Sequence, residues 1–179
     1  MPTLHQVARR AREEIHLPVD RDPSIDRLTG LPTRDAGMSA LEREIELVRH
    51  SSKRELSLAV LILDDLDAAG GADVNVARDR ALRAAATALR QHARRSHDIV
   101  FRYEGDELVC AHPFLDLEAG AALVLDAWRA FNEQQLRSFS AGFAELRDGD
   151  DATTMVNRAS DCLYAGRKKP GRGDWSVAL

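Results

Sequence analysis

The chain has 179 residues, of which 44% are hydrophobic, and its formal net charge at pH 7 is −4. This size and apolar content suit one domain with a buried core, and the slightly negative charge excludes a general electrostatic attraction to nucleic acid or to an anionic membrane. The chain has two cysteines, no apolar run near the roughly 18 residues of a membrane span and no signal peptide, which predicts a soluble cytoplasmic protein without a disulfide scaffold.

Residues 1–24 predict a short amphipathic helix at the start of the chain. Charged residues separate its apolar positions, and Leu17-Pro18 ends it. Such a helix is too short for a sensory domain, and we expect it to pack on its own domain. Its apolar positions are Val7, Ala8, Ala11 and Ile15.

A short continuous apolar run from Leu58 to Leu63 predicts a strand buried on both faces, near residues 56–64. The run ends in Asp64-Asp65-Leu66-Asp67. With a two-residue side-chain period, Asp65 and Asp67 share one face of the strand. Carboxylates in this position either project into solvent or hold a hard cation such as Mg²⁺.

Three apolar stripes at helical spacing predict helices that bury one face in the core. Together with further strands near 99–103, 107–113 and 138–146, they predict an α+β domain in which helices cover a sheet. The stripes are Leu82, Ala85, Ala86, Leu89 and Ala93; Leu117, Ala121, Val124, Trp128 and Phe131; and Met155, Val156, Ala159, Cys162 and Leu163.

The segment from Glu104 to Leu108 predicts the tip of a β-hairpin, because β-branched and aromatic residues flank it and Gly105 can take a positive φ. Alone, the segment is typical of a solvated acidic turn, since acids and glycine are ordinary turn residues. If the preceding strand is a neighbour in the sheet, Asp65 and Asp106 can face one ion. Glu107 then completes the set of metal ligands or accepts a proton. Acids arranged in this way are what metal-dependent nucleotidyl transfer requires.

Several segments, in this order along the chain, resemble the GGDEF domain of diguanylate cyclases. The resemblance covers about residues 25–179, which predicts an extension at 1–24 and one GGDEF domain at 25–179. It implies an antiparallel palm-like central sheet flanked by helices, as in nucleotidyl cyclases. The matching segments are Asp26 to Arg34, Asp65 to Asp67, Arg102 to Leu108 with the degenerate signature Glu-Gly-Asp-Glu-Leu, Ser138 to Phe143, and Asp161 to Tyr164.

The resemblance also implies a nucleotide site at the acidic motifs. Active members of the family work as two facing copies, each holding one GTP, with Mg²⁺ as the cofactor. The matching positions are Asp106 and Glu107 as catalytic acids; Asp65, the backbone of Leu66, and Asp106 for the metal; Asp79 for the guanine edge; and Arg167 or Lys168, with Arg172, for the terminal phosphates.

Two departures from the family pattern predict impaired catalysis. Glu104 replaces the first glycine of the signature and places an anion beside the expected triphosphate. The run between Asp67 and Asp79 is shorter than in the family and has no clear counterpart of the Phe, the Lys and the guanine-reading Asn. Each unmatched polar group on the nucleotide costs roughly 1 to 3 kcal/mol.

Arg95-Ser96-His97-Asp98 resembles the Arg-x-x-Asp of the family's product-binding inhibitory site. A guanidinium can donate to guanine O6 and N7, and a carboxylate can accept from the amino edge. The same residues also fit a helix end followed by a capping acid.

Three functions follow. The first, which we favour, is a degenerate GGDEF domain that binds cyclic di-GMP or a partner protein. The second is a diguanylate cyclase, active or weak, that condenses GTP into cyclic di-GMP with Mg²⁺. The third is a GTP-binding regulator of a phosphodiesterase.

Overall fold

A computed structural model describes residues 22–64, 74–135, 139–167 and 175–177 of the chain. The helices and strands between residues 56 and 167 agree with the sequence prediction, whereas no range was predicted for the helix at residues 34–49 or for the short last strand. The predicted helix within residues 1–24 lies outside the described residues. The elements are α1 Arg34–Arg49, β1 Leu56–Leu63, α2 Val74–His92, β2 Ile99–Glu104, β3 Glu107–Pro113, α3 Leu117–Gln135, β4 Phe139–Glu145, α4 Ala152–Arg167 and β5 Trp175–Val177.

The strands form one sheet in the order β2-β3-β1-β4-β5. The first four are antiparallel neighbours, with β1 in the middle, and β5 pairs in parallel with β4 at the edge. The α+β fold with an antiparallel palm-like sheet is therefore confirmed, with one parallel edge strand added. Because β1 runs antiparallel to β3, the end of β1 and the β2–β3 turn lie at the same end of the sheet.

Both faces of the sheet are covered, as the apolar run of β1 predicts. Ala59, Leu61 and Leu63 point into a core shared with α2 and α3. Leu58 and Val60 point into a second core, shared with α1 and α4. No helix in the described ranges is both long and apolar enough to cross a bilayer.

Helix α4 packs unusually close to β4. A Cβ atom built on Gly142 would overlap the carbonyl oxygen of Ala159 and the backbone nitrogen of Leu163, and would lie 2.8 Å from Leu163 Cα. The missing side chain thus permits backbone-to-backbone contact. This approach fixes the end of α4, which carries Tyr164 and Arg167, against the sheet.

Candidate functional site

The β2–β3 turn is a hairpin, as predicted, with Glu104 paired with Glu107 and Gly105 at φ +52°. The Arg102 guanidinium donates two hydrogen bonds to the Gly105 carbonyl, of 2.7 Å from Nη2 and 3.0 Å from Nε. Its Nη1 also forms an ion pair of 2.9 Å with Asp26. Arg102 therefore holds the turn and fastens it to the segment that precedes α1.

Asp26 is correspondingly stabilised as a carboxylate. Burial opposes its charge, but hydrogen bonds from Thr29 and the Arg102 guanidinium outweigh that effect, so that the pKa of Asp26 lies below its usual value. Thr29 donates to it from both the backbone nitrogen, at 2.8 Å, and the hydroxyl, at 2.7 Å.

Asp106, the acid in the turn, is held by Arg78 from the second turn of α2. Arg78 Nε donates to Oδ1 at 2.7 Å, and Arg78 Nη2 donates to Oδ2. Only 13% of the Asp106 side chain is exposed. This two-point contact is the strongest geometry available to an arginine and a carboxylate.

The contact between Arg78 and Asp106 affects whether Asp106 can bind Mg²⁺. A metal ion at Asp106 would have to displace a guanidinium that already neutralises the carboxylate, so the described residues do not fit a metal-loaded site at this position. The other predicted ligands, Asp65 and Leu66, lie outside the described residues. Within the described ranges no three His, Cys, Asp or Glu side chains are grouped as a metal site.

A second arginine and carboxylate meet at the end of β1. Asp64 is 7% exposed and accepts hydrogen bonds from Ser140 Oγ at 2.8 Å and from Arg167 Nη1 at 3.1 Å. Arg167, which the resemblance assigns to phosphate, is thus engaged with a carboxylate. Lys168 and Arg172, the other predicted phosphate ligands, lie outside the described residues.

Glu107 accepts a hydrogen bond from the Tyr164 hydroxyl. That bond, with partial burial and the negative charges of Glu107 and Glu104, raises the pKa of Tyr164 to about 12. Glu107, a predicted catalytic acid, is therefore engaged as a hydrogen-bond acceptor for α4.

We expect this bond to be visible in a tyrosine titration. The sequence has two tyrosines, so Tyr103→Phe leaves only Tyr164. Its tyrosinate absorbance should appear with a midpoint near pH 12. In Y103F with Glu107→Gln the midpoint should fall toward the usual value of about 10, because the negative charge is gone. Equal midpoints would contradict the contact.

The sign of this shift also sets a stability expectation. The folded state holds the Tyr164 proton more tightly than the unfolded state does, so the contribution of the bond is fully present below about pH 10. It is lost as pH rises through about 12.

Asp79, the predicted guanine ligand, follows Arg78 on α2 and is half-buried. No hydrogen bond or ion pair reaches its side chain from the described part of the chain. Its carboxylate therefore has acceptor capacity for a ligand.

Asp98, in the predicted inhibitory site, is turned into the fold. Its side chain is fully buried and lies 3.1 Å from His112 Nδ1, and it also accepts the backbone N–H of Arg95 at 2.9 Å. Burial opposes the charge, but these bonds and the nearby positive charges lower the pKa of Asp98. Arg95 donates from Nη1 to the Pro113 carbonyl at 3.0 Å, and 40% of its side chain is exposed.

Sequence reasoning missed two residues of these sites, Arg78 and His112. Each had a signal. Arg78 directly precedes Asp79, and His112 interrupts the buried part of strand β3, from Leu108 to Pro113, which is otherwise apolar.

Comparison with known proteins identifies the family. Residues 24–173 match the model of the family described as "Diguanylate cyclase, GGDEF domain", and the chain belongs to that family. It is 33% identical over 173 residues to the diguanylate cyclase DgcP of Pseudomonas aeruginosa. That match covers 91% of this chain and 25% of DgcP, so the chain spans about a quarter of this curated relative.

Solved structures agree in fold. The GGDEF domain of DgcB from Caulobacter crescentus, in complex with c-di-GMP, superposes with a TM-score of 0.76 at 24% identity, covering 89% of this chain and 98% of that one. The diguanylate cyclase SiaD of Pseudomonas aeruginosa, in complex with its activator SiaC, gives a TM-score of 0.74 at 23% identity, covering 98% of this chain and 72% of that one.

Proposed function

We propose that this GGDEF domain acts in cyclic di-GMP signalling by binding, and that its conversion of GTP to cyclic di-GMP is impaired. The observation that carries the proposal is the two-point contact between Arg78 and Asp106. Nucleotidyl transfer of this type needs the carboxylate as a metal ligand, and here a guanidinium from the protein itself neutralises it.

The charges around Asp106 support the same conclusion. Glu104 is exposed and stands opposite Glu107 in the hairpin register, so that two acids close the turn. Arg167, which would otherwise offset a triphosphate, is bound to Asp64. A nucleotide with its metal would therefore have to break several of these internal contacts. Each broken ion pair costs free energy, because it leaves a partly buried charge without its partner.

Two kinds of ligand suit a binding role. The first is cyclic di-GMP at Arg95 and Asp98, in line with the c-di-GMP complex of the DgcB domain. The second is a protein, in line with the complex of SiaD with its activator. A phosphodiesterase and a second copy of this chain are the protein partners to test. A role in cyclic di-GMP signalling places the domain in the cytoplasm.

A weak diguanylate cyclase is the second candidate. The half-buried Asp79 favours it, because its carboxylate can still accept from a guanine edge. Asp106 and Glu107 are both present in the hairpin. In that case the Arg78–Asp106 ion pair must break before Asp106 can bind the cofactor Mg²⁺. The assignments of Asp65, Leu66, Lys168 and Arg172 belong to this candidate.

A turnover assay separates the two candidates. We expect no cyclic di-GMP, measured by chromatography after incubation with GTP and Mg²⁺, beyond the amount formed by Asp106→Ala. An active diguanylate cyclase domain serves as the positive control. Product from the wild-type chain that disappears in D106A would overturn the non-catalytic proposal.

A further inference from the structure

A buried polar cluster lies beneath the Arg95–Asp98 turn. It consists of Ser57 on β1, His112 on β3 and Asp98 before β2, and we call it the Ser57-His112-Asp98 cluster. Ser57 and His112 are direct cross-strand partners and are 1% and 3% exposed. Buried polar side chains within an apolar sheet are uncommon enough to require a reason.

Both oxygens of the Asp98 carboxylate are in use. Oδ1 faces His112 Nδ1 at 3.1 Å, and Oδ2 accepts the Arg95 N–H at 2.9 Å. Since an ionised carboxylate can only accept, Nδ1 carries the shared proton. No part of the Asp98 side chain is exposed. A guanine amino edge arriving from solvent therefore meets Arg95 but not the carboxylate.

The second ring nitrogen of His112, Nε2, explains why the imidazole keeps its hydrogen bond to Asp98. Its Nε2 is buried without a hydrogen-bond partner in the described part of the chain, and the same holds for Ser57 Oγ. Asp98 thus supplies the hydrogen bond that keeps the buried ring partly satisfied. The contact serves both residues, because without it His112 Nδ1 and Asp98 Oδ1 each lose a buried hydrogen-bond partner.

We propose that His112 is a positioning residue that holds Asp98 inside the fold and so limits the binding of cyclic di-GMP at Arg95 and Asp98. The inference rests on the proposed function, because it assigns a control to that same binding site. Removing the imidazole takes away the hydrogen-bond partner of Asp98 Oδ1 and leaves the carboxylate with the Arg95 N–H and with Arg95 Nη1, 3.9 Å from Oδ1. Because 40% of the Arg95 side chain is exposed, this loss favours rotation of the Asp98 carboxylate toward solvent, where a guanine edge can bind it.

The adjacent residue provides a matched control. His97 lies in the same turn, 3.0 Å from Glu44 Oε2, with 41% of its side chain exposed. His97→Leu makes the same chemical change as His112→Leu and also removes a contact of the turn, but it leaves the Asp98 contact intact.

The experiment is a calorimetric titration of the full chain with cyclic di-GMP. We expect His112→Leu to bind at least about tenfold more tightly than wild type, and H97L to stay within about twofold. H112L combined with Asp98→Asn should lose the gain. His112→Asn, whose amide can donate from the position of Nδ1, should resemble wild type.

A measurement on the wild-type protein does not depend on how the variants fold. The ¹⁵N signal of His112 Nδ1, assigned by its absence in H112N, should move when saturating cyclic di-GMP draws Asp98 away. A signal that does not move at saturation overturns the proposal.

The outcomes also distinguish the inference from the proposed function. Binding by wild type that Arg95→Ala weakens, with no gain in H112L, overturns the role of His112 and leaves the binding site standing. No binding of cyclic di-GMP by wild type, H112L or R95A overturns both the role of His112 and the cyclic di-GMP site at Arg95 and Asp98. A protein partner then stands as the ligand of the domain.

Discussion

Replacing Arg78 with alanine is expected to create a divalent metal site at Asp106. In the wild-type chain the guanidinium occupies both carboxylate oxygens. Without it, both Asp106 oxygens lose their donors and the carboxylate has no counter-charge from that helix, so a hard cation with oxygen preference becomes a suitable partner. Mn²⁺ is a suitable probe, because it shares the oxygen ligands of Mg²⁺. We expect R78A to bind Mn²⁺ at least about tenfold more tightly than wild type, measured by calorimetry.

Two variants make this test specific. Arg83→Ala removes a second arginine of α2, whose Nε donates to the Leu28 carbonyl at 3.2 Å, and it should leave Mn²⁺ affinity unchanged. Asp106→Asn in the R78A background should abolish the gain. Wild-type Mn²⁺ affinity equal to that of R78A would show that the guanidinium does not compete with metal.

This readout is separate from turnover. Arg78→Ala leaves Glu104 and the shortened segment after Asp67 unchanged, so metal binding should return without substantial synthesis of cyclic di-GMP. The variant thus distinguishes loss of the metal ligand from loss of nucleotide contacts.

The second large effect is expected at Gly142. Gly142→Ala should lower the free energy of unfolding by about 3 kcal/mol, the upper end of the usual overpacking cost, because the new methyl group meets backbone that no side-chain rotation can move. Helix α4 would have to shift away from β4 as a unit. Urea denaturation followed by circular dichroism measures this change.

Gly120 provides the comparison. A Cβ at Gly120 would also overlap a neighbour, but the neighbour is the Ser57 side chain, with its Cβ 2.8 Å away. Gly120→Ala should therefore be less destabilising, and Ser57→Ala should recover part of the loss. If G142A unfolds within about 1 kcal/mol of wild type, α4 does not rest on β4 as closely as the structure places it.

The candidate site owes its character to contacts among its own charged residues. Arg78 holds Asp106, Arg167 holds Asp64, and Tyr164 donates to Glu107. In each contact at least one residue is a position that the resemblance assigns to metal, phosphate or catalysis. Internal neutralisation of this kind is the physical basis on which we propose binding in place of turnover.

The sequence by itself determined most of the elements and the family. The apolar run of β1 predicted a strand buried on both faces, helical spacing predicted α2, α3 and α4, and Gly105 predicted the hairpin turn. These signals are local, because each depends on residues within one element. Strand β5, only three residues long, is too short to give such a pattern.

The tertiary structure alone decided what the predicted site residues contact. Arg78 and Asp106 are 28 positions apart, and Arg167 and Asp64 are 103 apart. The sequence motifs identified the acidic residues of the site. Only the packing of α2 and α4 on the sheet decides which arginine forms an ion pair with each carboxylate. Likewise, the Arg-x-x-Asp pattern fitted both a nucleotide site and a capping acid, and only the structure shows the Asp98 carboxylate buried against His112. A hydrogen bond depends on distance and direction between side chains, which no spacing within one segment encodes.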